Sequence, residues 1–399
     1  MLADMSKRLT QKAVYVIAPE QTYMGSDVDV DRIEQEVVIY PGCRITGKHT
    51  YISRGARLGT EGPVVIDDCQ IGPNAVLASG YFSNSVFLEG AKAGANAHVR
   101  EATILEEETS FAHCVGLKHT VLLPFVMLGS VINFCDCLMA GGTSRKNHSE
   151  VGSSYIHFNY TAHQDKATPS LIGDVPSGVT LRQPPIFLGG QGGLVGPRKI
   201  AYGTVLAAGT ICRKDIDIPD QLITMPESTT RIERAFRRGE YGNLTAVIAN
   251  NITYIANLRA LQAWYQEVRF RLISREYFPK ALYEGLLMAL EKMIQERIDR
   301  MAALHTAVSE NEKSVQKNEH FYKQWPKMTS YLKESFPEMA RAEKERFLTV
   351  FETELKRIGK ISYPVFVSEI NDEALILSRE WLQVIIDTIT SYYKTKLFS

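Results

Sequence analysis

The sequence predicts a β+α chain, a three-sided parallel β-helix followed by an all-α helical domain, and three observations carry that expectation. A six-residue period runs through the first half. Composition shifts sharply near residue 219: 24 of the 28 glycines and all six cysteines lie before it, while 50 of the 90 charged residues occupy the 180 positions beyond it. Past that point, apolar residues recur at 3-4-3-4 spacing. Gly-rich, charge-poor sequence reads as β structure with many turns, and Gly-poor, charge-rich sequence as helix.

Taken in order, residues 1–36 read as an N-terminal linker with the first strands, 37–219 as the β-helix and 220–399 as a helical bundle. In sixes, Ala93 to His98, Val99 to Ile104, Leu105 to Ser110 and Phe111 to Gly116 place an apolar or small residue first, and Ala97, Thr103, Thr109 and Val115 fifth. Leu122, Leu128 and Phe134 continue the first position, and Ile172, Leu188 and Leu206 rejoin it. Such a period means stacked coils with flat faces. The first-position aliphatic points inward, glycine at the second position relieves crowding at the corner, and a small fifth residue fits the narrowing interior. From Ile39 to Lys214, at roughly 18 residues per coil, about eight to ten coils fit. Residues 133–157 read as an insertion and Pro184-Pro185 as a second interruption. Gly189 to Gly193 reads as a tight turn, because a phosphate cradle of that composition needs a helix N-terminus behind it.

In the second half, Leu258, Leu261, Tyr265, Val268 and Leu272 define one amphipathic helix, and Leu287, Leu290, Ile294, Ile298 and Met301 a second. Phe347, Val350, Phe351, Leu355 and Ile358, then Leu377, Trp381, Val384, Ile385 and Thr388, continue the pattern. Pro326, Pro337 and Pro364 sit where helices should break, so a bundle of about five helices is expected. It should pack on the end or flank of the β-helix, because an uncapped last coil would expose apolar rungs.

The net charge of zero, from 45 basic and 45 acidic residues, gives no field for gathering a polyanion, so nucleic acid is not an expected partner. No run is long and apolar enough for a membrane span, and no signal peptide is visible, which points to the cytoplasm. The scattered cysteines lack zinc-type pairs and read as reduced thiols.

Val16 to Tyr23, followed by Val38-Ile39-Tyr40-Pro41-Gly42, resembles the opening of the left-handed β-helix (hexapeptide-repeat) domain of bacterial glucosamine-1-phosphate acetyltransferases. These enzymes are usually fused to an N-acetylglucosamine-1-phosphate uridyltransferase. The resemblance continues through Val65 to Gly72, Leu88 to Ala91, Phe158-Asn159-Tyr160, Leu171 to Asp174 and Leu206 to Thr210, covering about residues 14–216. The Gly-rich loop of the uridyltransferase half has no match, so the resemblance implies the acetyltransferase domain alone. It further implies a left-handed coil and a homotrimer whose sites are completed by neighbouring chains. Acetyl-CoA is the implied co-substrate, with a sugar phosphate or sugar nucleotide as acceptor.

The same resemblance implies the site residues. His113, in Phe111-Ala112-His113-Cys114, matches the segment of the catalytic base, and an imidazole accepts a proton near neutral pH. His119, six residues on, could orient or replace it. Asn159 and Tyr160 match the pair that meets acetyl-CoA and sugar. Lys166 lies beside the family's lysine, and Arg100 falls where a lysine pair holds the sugar phosphate, which guanidinium grips bidentately. Gly190, Ala207, Ala208, and Arg213 or Lys214 match the coenzyme A wall. Gly116 and Leu117-Lys118-His119 depart from the family pattern, implying a reshaped pocket. Two other readings stand beside acyl transfer. One is a non-catalytic sugar-nucleotide-binding or scaffold trimer. The other is a zinc enzyme resembling γ-type carbonic anhydrases, since seven of the nine histidines lie in the β half.

Overall fold

A computed structural model describes residues 8–224, 233, 235–273, 279–333, 340–359 and 361–398. The first half is a parallel β-helix with three sheets. Sheet A has eleven strands from Tyr15–Val16 to Leu222–Ile223, sheet B ten from Tyr23–Met24 to Ile211–Cys212, and sheet C eight from Tyr51–Ile52 to Lys199–Ile200. The prism therefore starts well before residue 37. Val99, Leu105 and Phe111 fall on sheets B, C and A in turn and are all buried, so the six-residue period is one face per hexad. On sheet C the inward row Ile52, Ile71, Phe87, Leu105, Leu122, Met139, Ile172 and Ile200 stacks in exact register.

Each corner needs one residue in the left-handed backbone region, and this chain often meets it without glycine. At the corner between sheets B and C the positions are Asp68, Asn84, Ala102, His119 and Asp136, all with positive φ. Short polar residues tolerate that region best, because their side chains bond locally. This geometry plants His119 directly before Asp136 in the corner column.

The expected insertion at 133–157 is smaller than the sequence suggested. Asn133–Cys135, Cys137–Met139, Glu150–Val151 and Ile156–Phe158 are ordinary rungs, and only an antiparallel hairpin, Gly142–Ser144 against Asn147–His148, is added. The other interruption holds a short helix, α1 (Val175–Gly178), N-capped by Asp174.

Beyond the prism, α2 (Thr245–Trp264) runs through a π-turn, Tyr265–Arg269, into Phe270–Ile273. It is followed by α3 (Lys280–Ser309), α4 (Glu312–Lys317), α5 (Glu319–Lys333), α6 (Arg341–Ile358), α7 (Tyr363–Glu369) and α8 (Asp372–Phe398). Pro326 does not break a helix but lies inside α5. The Tyr322 carbonyl that its missing N–H leaves free accepts instead from Nε2 of His305, at 2.9 Å. Pro364 opens α7, and Pro337 lies outside the described residues.

The bundle lies on the flank, along sheet C, with α3 over the strands of Gln70, Val86 and Ile104 and α2 over that of Leu171. Leu222, in the outward row of sheet A, stays 72% exposed, whereas the outward row of sheet C, Val86, Ile104, Val121, Leu138 and Leu171, is buried. Close approach is set by Gly285 on α3, where a Cβ would stand 2.4 Å from Oε1 of Gln70. All six cysteines are free, and only Cys114 is exposed.

Candidate active site

Among the described residues, two buried ionic contacts join the halves. Arg269 of the π-turn meets Glu106 and Glu107, with its guanidinium 3.3 Å from the Tyr363 ring centroid. Tyr265 donates to Glu106 at 2.5 Å. Two carboxylates share one guanidinium here. Burial pushes Glu106 above the usual carboxylate range, and Glu107 adds to the push against the pull of Arg269. The second contact is balanced: Nη2 of Arg297, on α3, pairs with Oδ1 of Asp136 at 2.8 Å. Burial alone would raise Asp136, but Arg297, with His119 and Asn159, holds its carboxyl well below the usual range.

Asp136 is the centre of the corner between sheets B and C. Nδ1 of His119 lies 3.3 Å from its Oδ1, and Nδ2 of Asn159 donates to its Oδ2 at 3.0 Å. His119 is therefore buried, with Nδ1 engaged by a carboxylate. Just inside the prism, where neighbouring rungs place Phe134 and Leu194, stands His157. Its Nδ1 is 2.6 Å from the Cys135 carbonyl, which can only accept, so Nδ1 carries the proton. Nε2 then accepts from the Ser170 hydroxyl at 2.8 Å. Burial pulls His157 down to about 4, so the ring is neutral.

Outside this corner, Arg100, Lys118, Cys135 and Phe158 occupy successive rungs of the outward row of sheet B. Nη2 of Arg100 lies 3.9 Å from the Cys135 sulfur, and Lys118 pairs with Glu101 at 2.8 Å. Arg213 continues this row two rungs past Phe158, with Lys214 next in the chain at the corner. Residues 159–169 loop out from the same corner, leaving Tyr160 58% exposed and Lys166 exposed.

His113 is placed elsewhere, at the corner between sheets A and B. It is exposed, and its carbonyl accepts from Val131 one rung on. Gly190, Ala207 and Ala208 follow along this edge, three and four rungs away, or about 14 and 19 Å at the spacing of parallel strands. Within one chain, the width of sheet B, roughly 20 Å for six extended residues, separates His113 from the Asn159 corner. The structure thus brings Arg100, His119, Asn159, Tyr160 and Lys166 to one edge of sheet B, and His113, Gly190, Ala207 and Ala208 to the other.

Sequence reasoning missed Asp136, His157 and Arg297. A signal existed for the first two: Asp136 falls in the corner column of Asp68 and Asn84, and His157 at an inward position that other rungs fill with aliphatics or Phe. A groove of about 590 Å³, lined by Lys12, Glu34, Ser53, Arg54, Asn74 and Glu89, lies at the corner between sheets C and A, away from every expected residue. Among the described residues no three His, Cys or carboxylate side chains converge to hold a metal ion. Nor is any described helix long and apolar enough to cross a membrane.

No protein-family model matches the chain. Among curated proteins, bifunctional protein GlmU of Trichlorobacter lovleyi is 27% identical over 216 residues, 54% of this chain and 42% of that protein. Over this half the chain is homologous to bifunctional protein GlmU. The Thermotoga maritima protein of that name is 23% identical over 210 residues, covering 53% of this chain and 42% of its own length. That of Streptococcus suis is 25% identical over 249 residues, 61% and 46%. The chain thus spans less than half the length of these relatives.

Proposed function

We propose that this chain is a hexapeptide-repeat acyltransferase that uses acetyl-CoA to acylate an amino-sugar phosphate or sugar nucleotide. One observation carries the reading. Every residue expected from the resemblance lies on the outward face, the edges or the emerging loop of sheet B, a sheet that the helices leave open, while sheet C carries none.

In this reading the exposed His113 removes a proton from the acceptor amine as that amine attacks the thioester carbonyl. Arg100 and Lys118 hold phosphate, Asn159 and Tyr160 fix the acceptor, and coenzyme A runs along the Gly190–Ala208 edge toward Arg213 and Lys214. Because the two edges of sheet B are too far apart to serve one reacting centre, His113 of one copy works with Asn159 and Tyr160 of a neighbour in a homotrimer. Light scattering that gives a monomer mass at micromolar concentration would remove this arrangement.

The deciding experiment incubates the protein with acetyl-CoA and a panel of amino-sugar phosphates and sugar nucleotides and follows thiol release. His113→Ala should lower turnover on the order of 10²- to 10⁴-fold with little change in coenzyme A affinity. A second reading, ligand binding without transfer, draws on the absence of any hydrogen bond or ion pair to the His113 side chain among the described residues. Sugar-nucleotide binding without thiol release would select it.

A further inference from the structure

Residues 159–169 carry Asn159, Tyr160 and Lys166, and the helical half holds them from three directions. From α3, Nη1 of Arg297 reaches the Lys166 carbonyl at 3.5 Å, while its Nη2 fixes Asp136, which in turn accepts from Asn159. From α2, Nδ2 of Asn251 donates to the Ala167 carbonyl at 2.9 Å. From the segment before α2, the Gly239 N–H donates to Nδ1 of His163 at 3.2 Å, and Arg238 donates to Gln164 at 3.0 Å. The His163 ring also packs against Tyr241 and Phe236, with centroids 4.4 and 5.2 Å away.

The loop's own bonds are local. Thr161 donates to Asp165 at 2.8 Å, and the Ala167 N–H to the same carboxylate at 3.1 Å. Gln164 and Lys166 sit at positive φ, a conformation these side chains adopt only when held. Eleven residues with so little regular bonding would sample many shapes if nothing outside fixed them. Covering sheet C needs only an apolar helix face. Several of the polar contacts that reach past it, around the corner, hold this loop.

We propose that the helical half is a positioning clamp for loop 159–169. It sets the attitude in which Asn159, Tyr160 and Lys166 meet a ligand on sheet B. This inference rests on the function proposed above for those three residues. Arg297 and His163 are positioning residues, acting through Asp136 and the loop backbone. Any event that shifts α3 or the Phe236–Tyr241 segment would be felt at the ligand face.

The test uses the full chain and compares wild type with His163→Ala, Arg297→Lys and Arg297→Gln by hydrogen exchange and calorimetry. His163→Ala and Arg297→Gln should speed amide exchange across 159–169 about tenfold while strand Gly193–Val195 keeps its protection, and Arg297→Lys should restore part of it. Affinity for glucosamine-1-phosphate should fall about tenfold in the same variants. Unchanged loop exchange in both variants would overturn the clamp. So would faster exchange spread over the whole prism in His163→Ala, the variant that decides if Arg297→Gln fails to fold. If wild type binds neither glucosamine-1-phosphate nor acetyl-CoA while the loop loosens as expected, the proposed function falls and the clamp stands.

Discussion

Sheets B and C are built by the same hexad, stack through the same parallel ladders and share one interior, yet their outer faces have opposite fates. On sheet C the outward row runs Tyr51, Gln70, Val86, Ile104, Val121, Leu138, Leu171 and Lys199, aliphatic in the middle and polar at both ends. On sheet B the outward positions are mixed: His98, Arg100, Lys118 and Asn133 are polar, while Tyr81, Ile156 and Phe158 are apolar yet uncovered. The inward positions specify the prism, and the outward ones specify what lies on it. Helices cover the first face because its apolar strip has nowhere else to go, and they leave the second open.

The strongest way to break this contrast is to remove the cover. Truncation after about Asp220 should leave a chain that is poorly soluble or aggregates, since it exposes the strip from Val86 to Leu171; a soluble truncated protein of unchanged melting temperature would refute the account. Next in size are single substitutions. Arg269→Met, which strands two buried carboxylates, should cost about 3–5 kcal/mol in urea unfolding. Leu138→Ala should cost about 2–5 kcal/mol, whereas Asn133→Ala, on sheet B of the same coil, should stay within about 0.5 kcal/mol.

Titration sharpens the comparison, because burial shifts His157 and Glu106, at the two corners of sheet C, in opposite directions. His157, pulled down to about 4 by burial, takes up a proton more readily when unfolded. Its contribution is full above the ordinary histidine value of about 6.5 and is lost as pH falls toward 4, an effect of roughly 3 kcal/mol. Glu106 is raised by burial, so its contribution is full below the ordinary carboxylate value and fades as pH rises through the raised one. Denaturation midpoints measured from pH 4 to pH 8 should show both limbs, with His157→Leu flattening the acid limb and Glu106→Gln the other. The smallest effect expected is at Gly285. Gly285→Ala gains about 1 kcal/mol of helix propensity but displaces Gln70 from its bond to the His49 carbonyl, worth about as much. Its melting temperature should move by only a few degrees, and pairing it with Gln70→Ala should bring a net gain.

The sequence by itself determined the prism and the division into halves. A period of six with aliphatics inward is a local rule repeated many times, and the shift in glycine and charge near residue 219 needs no partner to be read. It also contained, unread, the outward strip Val86, Ile104, Val121 and Leu138, at steps of 17 or 18 residues, and the polar Asn250, Asn251 and Asn257 on a largely apolar helix. Those asparagines turn out to face the prism, bonding Asp215, the Ala167 carbonyl and the Val175 N–H. Only the tertiary structure decided which face the bundle covers, that Pro326 lies inside a helix, and that His119 is engaged while His113 is exposed. Each of these depends on a partner more than a dozen residues away: His305 for Tyr322, Asp136 for His119, and Arg297 for Asp136 across 161 positions. A hexad fixes which way a side chain points, but the charge it will meet there is set by chain that packs against it from elsewhere.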